Sequence, residues 1–148
     1  MKILFYIFAL FTSICYSQNT NEKYWIGKEI ESESGFLLDK GNFDKDFGIA
    51  FSYSETKIFL LFFKVENTRK IIIDIVEINK KELQGNKLTE YCFTNKGSDT
   101  EIIAITKDSG NEIYAKIKKA WRANRKVGKF KKISKRKVKK CSNENYGI

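Results

Sequence analysis

The segment from Phe47 to Val76 constrains the fold more than any other part of this chain. From Phe47 to Tyr53, bulky side chains alternate with small ones, which is the period of a strand that has one bulky face. Two apolar runs follow, Ile58 to Phe63 and Ile71 to Val76, separated by the polar residues Glu66 to Arg69. Their β-branched and aromatic content predicts a hairpin that is buried on both faces and lies in the middle of a sheet.

Shorter segments predict more strands, and the connections between them are rich in Gly and Asn. We expect strands at Tyr24 to Glu31, around Phe36 to Leu38, at Leu88 to Thr94 and at Glu101 to Thr106, with turns at Gly85-Asn86, Asn95-Lys96-Gly97 and Asp108-Ser109-Gly110-Asn111. About eight or nine short strands at this spacing predict an all-β fold, either a single antiparallel barrel or a sandwich.

The segment from Glu112 to Asn124 fits two patterns. Ile113, Ile117 and Trp121 recur at helical spacing, which would give one short helix near 110–124. The same residues also alternate with polar ones, and Gly128 can supply the positive φ of a turn before a second alternating stretch. We therefore favour a hairpin over the helix.

The first residues have the pattern of a secretory signal peptide. A cation at Lys2 precedes a short apolar run from Ile3 to Phe11, and Cys15 and Ser17 are small residues in front of a cut at Gln18. Lipidation of Cys15 is the alternative, but the bulky Ile14 before it disfavours that reaction. The apolar run is far below the roughly 20 residues of a membrane-spanning helix. We predict cleavage of residues 1–17 and export of a single domain, 18–148, to the periplasm or the extracellular space, without a transmembrane span.

Two cysteines remain after that cleavage, Cys92 and Cys141. In an oxidising compartment they can form one disulfide, which would close a loop of about 50 residues. The alternative is two separately buried, reduced thiols. Export favours the disulfide.

The composition excludes most familiar catalytic sites. The chain has no His, so histidine bases, Ser-His-Asp triads and imidazole zinc sites are absent. Asp39, Asn42, Asp44 and Asp46 cluster oxygen atoms, but Ala50 stands where an EF-hand needs its bidentate Glu. No phosphate-binding loop, G-x-S-x-G or C-x-x-C sequence occurs. We predict no catalytic residue, no metal site and no cofactor.

Carboxylates are plentiful, and a hydrolase with a carboxylate pair is the enzymatic alternative, although no feature of the sequence supports it. Asp74 lies inside an apolar strand. We expect it to face solvent or a sheet edge, or to pair with a nearby Lys.

Positive charge is concentrated at the C-terminal end. Residues 1–112 hold 14 Lys+Arg and 17 Asp+Glu, whereas residues 113–148 hold 14 Lys+Arg and only Glu144. Trp121, Tyr114 and Phe130 are interleaved with these cations, so the segment could bind phosphate groups, lipid headgroups or an acidic protein. The candidate binding residues are Trp121, Arg122, Arg125, Lys126, Lys129, Lys131 and Lys132. The alternative is a solvated sheet face whose Trp121 and Phe130 point into the core.

Two stretches carry a resemblance to known proteins. The segments Ala120 to Phe130 and Cys141 to Ile148 together resemble the C-terminus of small exported bacterial proteins of unknown function. That resemblance covers less than a third of the chain and implies no activity, cofactor or catalytic residue. Tyr24-Trp25-Ile26-Gly27 resembles the G-x-W motif of lipocalins, in reversed order.

These patterns together predict a non-catalytic exported binding protein. Its leading form is an immunity-type protein that engages an acidic macromolecule, either an acidic protein or a phosphate-bearing envelope component. The alternative is a lipocalin-like carrier that holds an apolar ligand inside a barrel. The strands Ile58 to Phe63 and Ile71 to Val76 would form its wall.

Overall fold

Twelve β-strands account for most of the residues that the computed structural model describes, which are 24–30, 35–38 and 46–143. The first sheet contains β1 (Gly35–Leu37), β2 (Phe47–Tyr53), β3 (Lys57–Glu66) and β4 (Arg69–Asn79), in that order. The second contains β5 (Asn86–Thr89), β8 (Ile102–Lys107), β10 (Ile117–Asn124) and β11 (Lys129–Lys132), again in spatial order. The third contains β7 (Gly97–Asp99), β6 (Cys92–Thr94), β12 (Lys140–Ser142) and β9 (Ile113–Tyr114).

Every strand pair in these sheets is antiparallel, and none of the three sheets closes into a barrel. The predicted all-β class is therefore confirmed, and of the two predicted architectures the described residues adopt the sandwich-like one. Two 3₁₀ turns, Lys80–Leu83 and Lys135–Lys137, lie between strands.

The predicted alternation along β2 is confirmed, and it determines how the first two sheets pack. Residues from both sheets form the main core: Leu38, Ile49, Ile58, Leu60, Phe62, Ile78, Ile103, Ile105 and Ala123. Phe47 and Phe51 pack against this core on the same side as Ile49, and the small residues between them face the other way.

Gly48 is one of these small residues, and it is buried opposite Phe63 of β3. A Cβ atom at this position would overlap the Phe63 ring and lie 2.7 Å from the carbonyl oxygen of Phe36. No side chain fits between β2 and its neighbours at this point.

We expect Gly48→Ala to destabilise the fold by about 1–3 kcal/mol, because the added methyl forces the Phe63 ring out of a filled site. Urea denaturation measures the loss. Ser52→Ala, on the same face of β2, is the matched control and should change stability by no more than about 0.5 kcal/mol. Equal stability of the Gly48→Ala variant and the wild-type protein would contradict this close packing.

The predicted hairpin forms, but it is longer than the apolar runs. β3 is buried on both faces from Leu60 to Phe63, and the two strands stay paired as far as Glu66 and Arg69. The connector is therefore two residues, Asn67 and Thr68, instead of four. Both have positive φ, 48° and 70°, as a tight hairpin turn requires.

The expectation that the whole hairpin lies in the middle of the sheet is wrong for β4, which is an edge strand. One half of that edge is covered by residues 27–30, through an isolated bridge from Glu29 to Ile71 and hydrogen bonds such as Ile30 N–H to the Lys70 carbonyl, 2.8 Å. In the other half, Asp74 Oδ2 accepts the N–H of Phe130 in β11 at 2.6 Å. Asp74 thus lies at an edge, as expected, and links the first sheet to the second.

Two other predicted strands differ in the structure. Tyr24 and Trp25 form a helical turn, and residues 26–30 pair with β4 through one isolated bridge and a few hydrogen bonds, so the prediction of a strand is wrong for the described residues 24–30. The single strand predicted from Leu88 to Thr94 is interrupted after Thr89. Its first part joins the second sheet and its last part the third, so the chain changes sheets at this point.

The segment after Glu112 forms the predicted hairpin instead of a helix, as strands β10 and β11. The alternation is not continuous, because the pairing of β10 with β8 shifts register between Ile117 and Lys119. This bulge places Ile117 and Ala120 in the same buried cluster, although two residues three positions apart face opposite sides of a regular strand.

The predicted disulfide joins Cys92 and Cys141, which are directly paired across β6 and β12. Both cysteines are fully buried. They belong to a disulfide cluster that packs the third sheet against the outer side of the second, formed by Cys92, Ile102, Ala104, Ile117, Ala120, Val138 and Cys141.

Replacing both cysteines by Ser should destabilise the protein by about 4 kcal/mol, since the bond closes a loop with a sequence separation of 49. Thermal unfolding with and without a reductant measures this for the wild-type protein as well. If the reductant leaves the melting temperature of the wild type unchanged while thiol labelling confirms reduction, packing alone holds the C-terminal segment.

Some sequence predictions fall on residues outside the described ranges. These are the signal peptide, residues 1–17, and most of the Asp39 to Asp46 cluster, of which only Asp46 is described. Among the helices of the described ranges, none has the length and apolar character to span a bilayer.

Candidate basic interface

Nine of the 28 Lys and Arg residues lie in one continuous stretch, residues 126–140, which we call the basic segment. It runs from the β10–β11 loop through β11 and the second 3₁₀ turn to the start of β12. It contains nine cations and no acidic residue: Lys126, Lys129, Lys131, Lys132, Lys135, Arg136, Lys137, Lys139 and Lys140. All nine side chains are exposed.

Apolar side chains attach the basic segment to the body of the protein at regular intervals. Phe130 packs against the main core, Ile133 against the disulfide cluster, and Val138 and Cys141 are part of that cluster. The N–H of Ile133 also donates to the Ala120 carbonyl at 3.0 Å. The lysines between these anchors therefore project from a fixed backbone.

The three aromatic residues that the sequence interleaves with the C-terminal cations, Tyr114, Trp121 and Phe130, face inward. Trp121 and Phe130 pack against the main core, and the rings of Phe130 and Phe62 lie 5.4 Å apart. Tyr114 is 3% exposed. Trp121 was a candidate for stacking on a partner, but the structure uses it to pack the core.

Arg122 and Arg125 bind carboxylates of the same chain. Arg122 Nη2 lies 2.5 Å from Asp99 Oδ2, and its Nη1 lies 3.1 Å from Glu101 Oε2. Arg125 Nε lies 2.9 Å from the other oxygen of Glu101, and Arg125 also contacts the Leu38 carbonyl at 3.5 Å. Glu101 is only 5% exposed, so both guanidinium groups neutralise a buried charge. We call these four side chains the Glu101 cluster.

Removing the shared carboxylate should weaken the fold. Glu101→Gln leaves two guanidinium groups without their buried counter-charge, and we expect a loss of about 2–3 kcal/mol in the free energy of unfolding. Urea denaturation measures it. Glu66→Gln removes the exposed pair with Lys64 and should cost less than about 1 kcal/mol. Similar losses in the two variants would show that burial of Glu101 has no special effect.

The lysines behave differently from these two arginines. Lys126, Lys129, Lys131 and Lys132 are exposed, and none of them forms an ion pair with a described residue. Of the seven candidate residues from the sequence, the structure thus leaves these four at the surface. Trp121 instead packs against the main core, and Arg122 and Arg125 form ion pairs with Asp99 and Glu101.

A polar groove of about 880 Å³ lies beside the basic segment. It is lined by Thr94, Asn95, Lys96, Ser98, Asp99, Thr100, Arg122 and Lys137. Most of these residues come from the β6–β7 hairpin, about 40 positions before Lys137 in the chain. Of the lining residues, only Arg122 was a candidate binding residue in the sequence analysis. The predicted disulfide could have indicated the site, because it places Thr94 and Lys140 on neighbouring strands.

A smaller cleft of about 410 Å³ lies where the three sheets meet. Its lining includes Phe51, Tyr53, Ile58, Leu88 and Tyr114. Burial raises the pKa of the Tyr114 phenol, and the carboxylate of Asp108 raises it further. Burial likewise raises the pKa of Tyr53.

In the described part of the chain, no three Cys, Asp or Glu side chains are grouped so that they could hold a metal ion. Comparisons with known protein families, with curated proteins and with solved structures gave no match. The resemblance of the C-terminal stretches to small exported proteins therefore stays a prediction.

Proposed function

We propose that this protein is a non-catalytic binding protein that engages an acidic macromolecule through the basic segment. The observation that carries the proposal is the arrangement of this segment, in which nine exposed cations follow one another without an intervening acid. Such a surface attracts a polyanion through summed potential and the release of counter-ions.

Two features distinguish this segment from an ordinary solvated surface. The half-buried Asp99 and the buried Glu101 neutralise Arg122 and Arg125, whereas no described carboxylate forms an ion pair with a lysine of the segment. The anchors Phe130, Ile133 and Val138 also hold the segment in place, so a partner need not order it on binding.

The proposed site of action is outside the cytoplasm, where the predicted signal peptide would deliver the chain. A buried disulfide is compatible with an oxidising compartment. There the acidic partner would be a protein, as for an immunity-type protein that neutralises an incoming toxin, or a phosphate-bearing component of the envelope.

The lipocalin-like carrier has weaker support. Its expected wall, the strands β3 and β4, packs into filled clusters on both sides, and the sheets do not enclose a barrel interior. The aromatic cleft beside Phe51 and Tyr114 is the one feature in its favour, and its volume of about 410 Å³ is in the lower range of ligand pockets.

Charge reversal in the basic segment tests the proposal. We expect the quadruple variant Lys126→Glu, Lys129→Glu, Lys131→Glu and Lys132→Glu to lose its partner in a pull-down from envelope extract. Its melting temperature should stay within a few degrees of the wild type, because exposed charges contribute little to folding. The matched control reverses Lys80, Lys81, Lys107 and Lys116, which are equally exposed, and should keep the partner.

Salt provides a second measurement on the same proteins. The Debye length falls from about 10 Å at 0.1 M to about 3 Å at 1 M, so a contact made by summed charge should disappear at high salt. Recovery of the same partner by wild type and quadruple variant at both salt concentrations would exclude the basic segment from binding.

A further inference from the structure

The groove beside the basic segment combines cations with hydroxyl and amide side chains. We propose that it binds an anionic glycan, a hydroxylated sugar polymer that carries carboxylate, sulfate or phosphate groups. This inference rests on the proposed function, since the glycan would be the acidic macromolecule and the groove would be the part of the surface that selects it.

The cations of the groove come from three places in the chain, and its one described carboxylate, Asp99, is paired with Arg122. Lys96 lies in the β6–β7 turn, Arg122 in β10 and Lys137 in the second 3₁₀ turn. Arg122 has five N–H donors, and its contacts with described carboxylates use only Nη1 and Nη2, so donors remain for a ligand. Because Asp99 and Glu101 hold this guanidinium in place, it is oriented before a ligand arrives.

The neutral groups suit a sugar. Asn95, Ser98 and Thr100 line the groove with an amide and two hydroxyls, each of which can both donate to and accept from a sugar hydroxyl. Thr94 is already used within the turn, where its hydroxyl accepts the N–H of Lys96 at 3.1 Å. A site for a bare inorganic anion would not need this set of donors and acceptors.

The lining also discriminates between polyanions. Single-stranded nucleic acids bind proteins through bases stacked on aromatic side chains, and none of the described residues that line the groove is aromatic. The nearby Trp121 and Phe130 pack inward. An acidic protein usually requires an interface centre rich in Tyr, Trp or Met, which the groove does not have. A glycan requires neither feature.

Lys137 belongs both to the groove and to the basic segment. A polymer bound in the groove can therefore extend along the segment. There, further lysines attract its negative charges but do not distinguish one polymer from another. We infer that the groove determines which polymer binds and that the segment increases the affinity.

The test measures binding of defined probes to the purified protein by calorimetry. The probes are an oligogalacturonate with carboxylates, a heparin octasaccharide with sulfates, a polyol-phosphate oligomer, neutral dextran and a 12-nucleotide single-stranded DNA. We expect at least one anionic glycan to bind about tenfold or more tightly than both the DNA and dextran, and the three anionic arms identify the charged group. Equal affinity for DNA and all anionic glycans would overturn the inference in favour of general polyanion binding.

Variants separate the groove from the segment. Lys96→Glu with Lys137→Glu should weaken glycan binding about 10- to 100-fold and lower the slope of log K against log salt by about two. Asn95→Ala with Ser98→Ala should weaken it several-fold without changing that slope, because these residues carry no charge. Lys80→Glu with Lys81→Glu, in the other 3₁₀ turn, is the matched charge control and should bind as the wild type does.

The outcomes also separate this inference from the proposed function. If the segment reversal abolishes capture of the envelope partner but the groove variants bind that partner as the wild type does, the groove inference is wrong and the proposed function stands. If no variant affects capture, both are wrong. Loss of glycan binding in the Asn95 and Ser98 variant, with an unchanged melting temperature, is the result that only the groove inference predicts.

Discussion

The bond between Cys92 and Cys141 determines where the C-terminal quarter of the chain lies. It holds β6 against β12 inside a cluster of small apolar side chains, and Val138 joins that cluster. The basic segment is thereby fixed at one end by this cluster and at the other by Phe130 in the main core. Without the bond, a stretch with nine cations and no acid would repel itself and would favour an extended chain.

The arginines and the lysines near the C-terminal end have different roles. Arg122 and Arg125 pair with carboxylates inside the protein, and the lysines of the basic segment are exposed. Inside, Glu101 forms ion pairs with the guanidinium groups of Arg122 and Arg125. It thereby links the start of β8 to the end of β10. Outside, the lysines of the basic segment form no such ion pair with a described residue, so their summed charge gives this surface a positive potential. Arginine suits the internal use, because its planar fork can contact two carboxylates at once, as Arg122 does.

Much of the fold follows from short-range pattern, and the exceptions have physical causes. The alternation in β2 and the apolar runs of β3 and β4 predicted strands, because side-chain direction in a strand depends on local geometry. Three features depend instead on which strands become neighbours. They are the register shift after Ile117, the position of β4 at an edge and the change of sheet after Thr89. A pattern within one strand carries no information about its neighbours.

Some features of the candidate site could likewise be predicted from the sequence, and others depend on residues that are distant in the chain. Composition alone identified the exposed lysines, since a segment without acids must be positive wherever it lies. The internal pairing of Arg122 and Arg125 depends on Asp99 and Glu101, which are more than 20 positions away. The groove depends on a contact between distant segments that only the disulfide prediction implied.

The hydrogen bond between Asp74 and the Phe130 N–H opposes edge-to-edge pairing of two molecules at high protein concentration. β4 and β11 are edge strands, and an exposed edge can recruit a strand from a second molecule and start a fibre. The Asp74 carboxylate occupies an N–H group that β11 would offer to such a strand, and residues 27–30 occupy part of β4. The lysines on β11 add mutual repulsion between copies. These contacts shorten the part of the β4 edge, beside the long apolar hairpin, that a second molecule could pair with.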